Sequence, residues 1–145
     1  MSALTLDVIV DRVRSICAGE PFGFGEATSW ASFDLQPTTN IDGVFRIPPP
    51  QSGGVIGGFD FSEDRTDVLE IWVARKHGGQ YDQVRRTLVR DMHSLTAAVV
   101  RDGAVASGDY VVPDSGRGHS IAPDGPGKEF VVLRLRLPVN YEAQL

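Results

Sequence analysis

The chain has 145 residues, 41% apolar and 23% charged, with a formal net charge of −5. One cysteine, Cys17, excludes an internal disulfide, and together with three histidines it cannot supply a zinc site at metal-ligand spacing; the acid excess excludes a protein that coats nucleic acid, which needs clustered Lys and Arg. No run approaches the roughly 18 to 20 apolar residues of a membrane helix, and the start lacks a secretory signal, so the expectation is one soluble domain over 1–145 with a single core, in a reducing, intracellular setting.

The first periodic segment, Thr5 to Ala18, places Leu6, Ile9, Val10, Val13, Ile16 and Cys17 on one helical face. Thr5 is the expected cap, Asp7 suits the positive helix end, and Gly19 is expected to stop the helix in a left-handed conformation. Cys17 is then a core thiol and a poor nucleophile. From about 21 to 62 periodicity fades, with strands expected only near Ser29–Leu35 and Val44–Ile47 and a polyproline stretch at Pro48–Pro50. Phe22, Phe24, Trp30 and Phe33 within it suggest an arm that orders against a partner.

Asp67–Arg75 alternates as a strand, with Leu69, Ile71 and Val73 on one face and Val68, Glu70 and Trp72 on the other. A second helix is predicted from Gln80 to Arg101, with Tyr81, Val84, Leu88, Met92, Leu95 and Val99 recurring every three or four residues. A short strand near Asp109–Val112 precedes a Gly- and Pro-rich stretch, about 113–127, expected to be a flexible loop. The last strand, Lys128 to Asn140, directs Val131, Leu133, Leu135 and Leu137 to one face and Phe130, Val132, Arg134 and Arg136 to a partly wet one. Burying those four aliphatic side chains contributes on the order of 6 to 12 kcal/mol before entropy. The implied fold class is α+β: an antiparallel sheet of about four strands, two helices packed on one face, and long loop arms.

Residue patterns for chemistry fail on context. Gly118 to Ala122 resembles a nucleophile elbow around Ser120, but Pro113 upstream and Pro123–Gly127 downstream leave no strand-to-helix turn, so Ser120 and His119 are read as loop residues. Gly53–Gly58 lacks the Lys and Ser or Thr of a phosphate loop, and Gly23-Phe24-Gly25 lacks its third glycine; a hinge or close backbone approach is the expectation. Asp60, Glu63, Asp64 and Asp67 lack the pattern of a calcium loop, and His77 and His93 have no partner ligand. No catalytic residue, cofactor or metal is assigned. Interface candidates are instead a basic strip on the second helix, Arg86, Arg90 and Arg101, opposite Val84, Leu88 and Leu95. Others are Arg134 and Arg136, set to face Glu70 if their strands are neighbours, the acidic turn Asp60, Glu63 and Asp64, and the arm aromatics Phe22, Phe24 and Trp30. The acidic turn against the basic strip is the expected contact between copies.

The Asp67–Arg75 strand, the following helix with Arg85, Arg86 and Leu88, and the closing Phe130–Tyr141 segment resemble tail terminator proteins of tailed bacteriophages and phage-like gene transfer agents. The resemblance covers about half the chain. It implies a non-enzymatic virion protein that assembles in the bacterial cytoplasm as a six-membered ring. That ring caps the tail tube at its head-proximal end and joins it to the head–tail connector proteins, with DNA passing through the lumen without sequence-specific binding and no membrane partner. It supplies no functional residue. Alternatives left open are another neck protein, such as a head completion or stopper protein, a small hydrolase using Ser120 and His119, and a ligand-binding module between Trp30, Phe33 and Trp72.

Overall fold

Two strands of 15 residues organise the molecule: β4 (Ser62–Lys76) and β7 (Phe130–Gln144), antiparallel along their full length from Ser62↔Gln144 to Lys76↔Phe130. The computed structural model describes residues 5–27, 42–59, 61–103, 110–124 and 128–144. The remaining elements are α1 (Leu6–Ala18), β1 (Gly25–Glu26), β2 (Asp42–Arg46), β3 (Gln51–Phe59), α2 (Tyr81–Arg101), β5 (Tyr110–Val111) and β6 (Gly118–Asp124).

Among the described residues the sheet therefore has seven strands, which corrects the expected four, and one pair, β1 with β2, is parallel. The extra strands arise because each outer edge of the central pair is shared. β2 pairs the C-terminal half of β4 and β3 its N-terminal half, and the Pro48–Pro50 run falls between them, where residues without an N–H cannot continue a ladder. On β7, β6 pairs up to Arg136 and β5 pairs Asn140 and Tyr141, so Pro138 lies in the gap. The loop expected over 113–127 thus contains strand β6, and the arm expected over 21–62 contains β1, β2 and β3. The strand expected at Ser29–Leu35 lies outside the described residues.

Both helices cover one face, where Leu69, Ile71 and Val73 stand opposite Leu137, Leu135 and Leu133. Ile9, Val13 and Cys17 of α1 and Leu88, Leu95 and Val99 of α2 close this core, as the two periodicities require. Thr5 caps α1 through its backbone carbonyl, which accepts from Val8 and Ile9, and not through its hydroxyl. Gly19 ends the helix in extended, not left-handed, geometry (φ −87°, ψ 171°). After α2, Gly103 is required by close approach, since a Cβ there would lie 2.6 Å from the Tyr110 carbonyl oxygen.

The opposite face is less wet than its sequence implies. Phe130, Val132 and Ala74 are buried there and pack with Ala27, Val44 and Trp72, while Arg134 and Arg136 are exposed.

Candidate self-assembly surface

β3 packs chiefly on β4, whose other edge is held by β7, whereas α2 contacts β4, β6 and β7. The β3–β4 hairpin carries an exposed apolar end, with Val55 and Ile56 55% and 57% accessible and Phe61 79%. Glycine permits its tight pairing, because a Cβ on Gly53 would meet the Thr66 carbonyl oxygen at 2.5 Å and one on Gly58 the Ser62 carbonyl oxygen at 2.9 Å. Close backbone approach is what the glycine run provides.

A buried acid fixes the hairpin's base. Asp67, only 2% exposed, accepts from the Tyr141 hydroxyl at 2.6 Å and from the Gly53 N–H at 3.2 Å, joining β3, β4 and β7. Arg65 Nε stands 3.7 Å from the same carboxylate, while its other nitrogens donate to Glu63 and to the Ser52 hydroxyl, each at 3.0 Å. Burial, then the bond to Asp67, pushes the Tyr141 hydroxyl up to about 12, so it stays a donor.

The second surface lies on the helices. Arg86, Arg90, Ser94, Ala97 and Arg101 follow one stripe of α2, spaced so that all five face solvent. None of the three arginines makes an ion pair among the described residues, whereas Arg14, Arg65, Arg75, Arg117 and Arg134 all do. Where the stripe meets α1, an open groove of about 420 Å³ has Ile16, Pro21 and Phe22 on one side and Ala97, Ala98 and Arg101 on the other.

The other candidates divide. Asp64 is exposed beside the hairpin tip, but Glu63 is half-buried and held by Arg65, which removes it from the free acidic set. Asp60 and Trp30 lie outside the described residues, so the acidic turn is described only in part. Phe22 lines the groove, but Phe24 is a core residue, packed on Phe22 and covered by the Arg75 guanidinium at 5.4 Å. Arg136 does stand opposite Glu70 in register, yet no ion pair joins them, and Glu70 instead accepts from Trp72 Nε1 at 3.1 Å. Arg134 is taken up by the Trp72 ring at 5.0 Å and by Asp124 at 3.7 Å, with Arg46 also over that ring at 5.7 Å. Sequence reading missed Val55, Ile56 and Phe61, which stand in a glycine-rich run with no strand or helix period.

The chemical alternatives find little support. His119 and Ser120 are neighbours on β6, opposite Leu135 and Arg134 of β7, so their side chains project to opposite faces and cannot act as a dyad. Burial, aided by the Glu26 charge, raises the Cys17 thiol from 9.0 to about 12. Among the described residues no His, Cys, Asp and Glu group has the geometry to hold a metal ion, and no helix is long and apolar enough to cross a membrane. No family model and no curated protein matches the chain.

Proposed function

We propose that this chain is a structural virion protein of the tail-terminator type. On this reading copies close into a ring, six by the resemblance, at the head-proximal end of a tail tube and join it to the connector. The protein performs no catalysis and holds no cofactor. The observation that carries the reading is the display of two unlike surfaces on one small domain: an apolar hairpin tip and a basic helix stripe beside an apolar groove. Unlike surfaces that complement each other make head-to-tail contacts, which generate closed rings when the rotation between copies closes. The net charge of −5 suits a lumen through which DNA slides.

Solution mass across a concentration series, with electron microscopy of tail tubes assembled with and without the protein, tests this. Expected are a ring species and density at one tube end, with tube length fixed by its presence. A protein that stays monomeric and never associates with tube ends overturns the reading. Rings that bind heads but ignore tubes would favour a head completion or stopper protein instead.

A further inference from the structure

We infer that the hairpin tip of one copy, Val55, Ile56 and Phe61, seats in the α1–α2 groove of the next copy, with Asp64 directed at Arg101. This rests on the ring reading and names the surface that would build it.

Four observations converge on a second copy as the occupant. The distal half of the hairpin exposes three large apolar side chains, Phe61 at the turn and Val55 and Ile56 a few residues back along β3, a cost in water that a partner would remove. The groove offers an apolar side of Ile16, Pro21 and Phe22, and the small Ala97 and Ala98 leave room for an aromatic ring. Charge matches as well: Asp64 is exposed and outside every ion pair of the described residues, and so is Arg101 at the mouth of the groove. On a chain of net charge −5, the α2 stripe with Arg86, Arg90 and Arg101 is a basic surface suited to the Asp64 carboxylate of another copy. Finally, β3 packs mainly on β4 and has no substantial contact with either helix, so the tip does not fill its own groove.

The contact is small. A phenylalanine ring buries about 150 to 250 Å², and a tip of three side chains stays well short of the roughly 1,000 Å² expected of an independently stable interface. Closing a ring changes this, since every copy is then held at its tip and at its groove, and the last contact forms at high effective concentration. Open chains should therefore be rare, with a steep monomer-to-ring transition.

The test uses the full chain. Asp64→Arg and Arg101→Asp are each expected to raise the concentration of half-assembly at least tenfold, and the double reversal to return it to within about threefold of the unaltered protein. Disulfide trapping gives the geometry: a mixture of Phe61→Cys and Ala97→Cys chains should yield a crosslinked heterodimer that neither variant yields alone. Thermal unfolding checks that each variant folds, and recovery in the double reversal separates a lost contact from a lost fold. If the unaltered protein forms rings but neither reversal weakens them and no 61-to-97 crosslink forms, this inference is overturned and the ring reading stands. Tip-to-tip crosslinks from Phe61→Cys alone would also overturn it. If the unaltered protein forms no assembly even at tube ends, the ring reading itself is what fails.

Discussion

The Tyr141 hydroxyl donates to Asp67 Oδ2 at 2.6 Å, a diagonal contact between β7 and β4 that joins residues 74 apart in the chain. Because the other oxygen of the same carboxylate accepts the Gly53 N–H, one buried acid of β4 ties the edge strand β3 and the central strand β7 together. Tyr141→Phe removes the hydroxyl and leaves the ring. The expected loss is about 1.5 to 3 kcal/mol, the range for hydrogen bonds to a charged group. Urea unfolding measures it, and hydrogen exchange should show the Gly53 amide and its β3 neighbours losing protection before the β4–β7 ladder does.

Alkaline pH should unfold the protein through three groups that the native state holds neutral. Burial raises Cys17 from 9.0 to about 12, and burial followed by the Asp67 bond raises Tyr141 from 10.0 to about 12. Tyr110 moves upward too, through burial and its bond to Asp102. For a group whose folded value lies above its unfolded one, the stabilisation is complete below the unfolded value and is lost as pH rises through the folded value. The urea midpoint should therefore be level from pH 7 to about 9 and fall between about 9 and 12. Cys17→Ala should delay the start of the fall, and Tyr141→Phe should flatten its upper part. A thiol reagent at pH 8 should modify Cys17 only after denaturation.

Helices and central strands were legible because each buries a regular stripe: Leu88, Leu95 and Val99 recur at helical spacing, and Leu69, Ile71 and Val73 alternate. The edge strands were not. β3 is four-ninths glycine and bulged at two places, so no period survives, and its partner strand supplies the order its own side chains lack. β6 contains Pro123 and exposed polar residues because it lies at a sheet edge, and such a strand reads as a loop until its neighbour is known. The basic stripe of α2 followed from helical geometry alone, but the groove beside it needs α1 and the Pro21–Phe22 turn to be brought alongside. Asp67 stood in the sequence as one of four clustered acids; only the pairing of β4 with β3 and β7 reveals its burial.

Ser120→Ala should be silent. The hydroxyl lies exposed on β6, with no hydrogen bond within the described chain, so the stability change should stay within about 0.5 kcal/mol. Assembly should be unaffected and ester hydrolysis should not differ from the unaltered protein. A hydrolytic activity that disappears with this substitution while rings still form would replace the structural reading with the enzymatic one.

The Arg75–Asp91 pair should be worth more than the ion pairs around Arg14, because its surroundings differ. Arg75 Nε donates to Asp91 Oδ2 at 2.9 Å and a second nitrogen donates to Oδ1 at 3.4 Å, with the two side chains 20% and 13% exposed. Arg14 bonds Glu26 and Asp11 at 2.6 and 2.7 Å, but at 39%, 32% and 70% exposure water competes for every atom. Arg75 also lies over the Phe24 ring, so the pair fastens the α1–β1 connection to the sheet and to the middle of α2. Asp91→Ala is therefore expected to cost about 2 kcal/mol, against about 0 to 1 kcal/mol for Asp11→Ala. A double-mutant cycle of Asp91→Ala with Phe24→Leu should depart from additivity by at least about 0.5 kcal/mol, since losing the carboxylate frees the guanidinium that covers the ring. Equal losses at Asp91 and Asp11 would mean that length of bond, and not exclusion of water, sets the strength of these pairs.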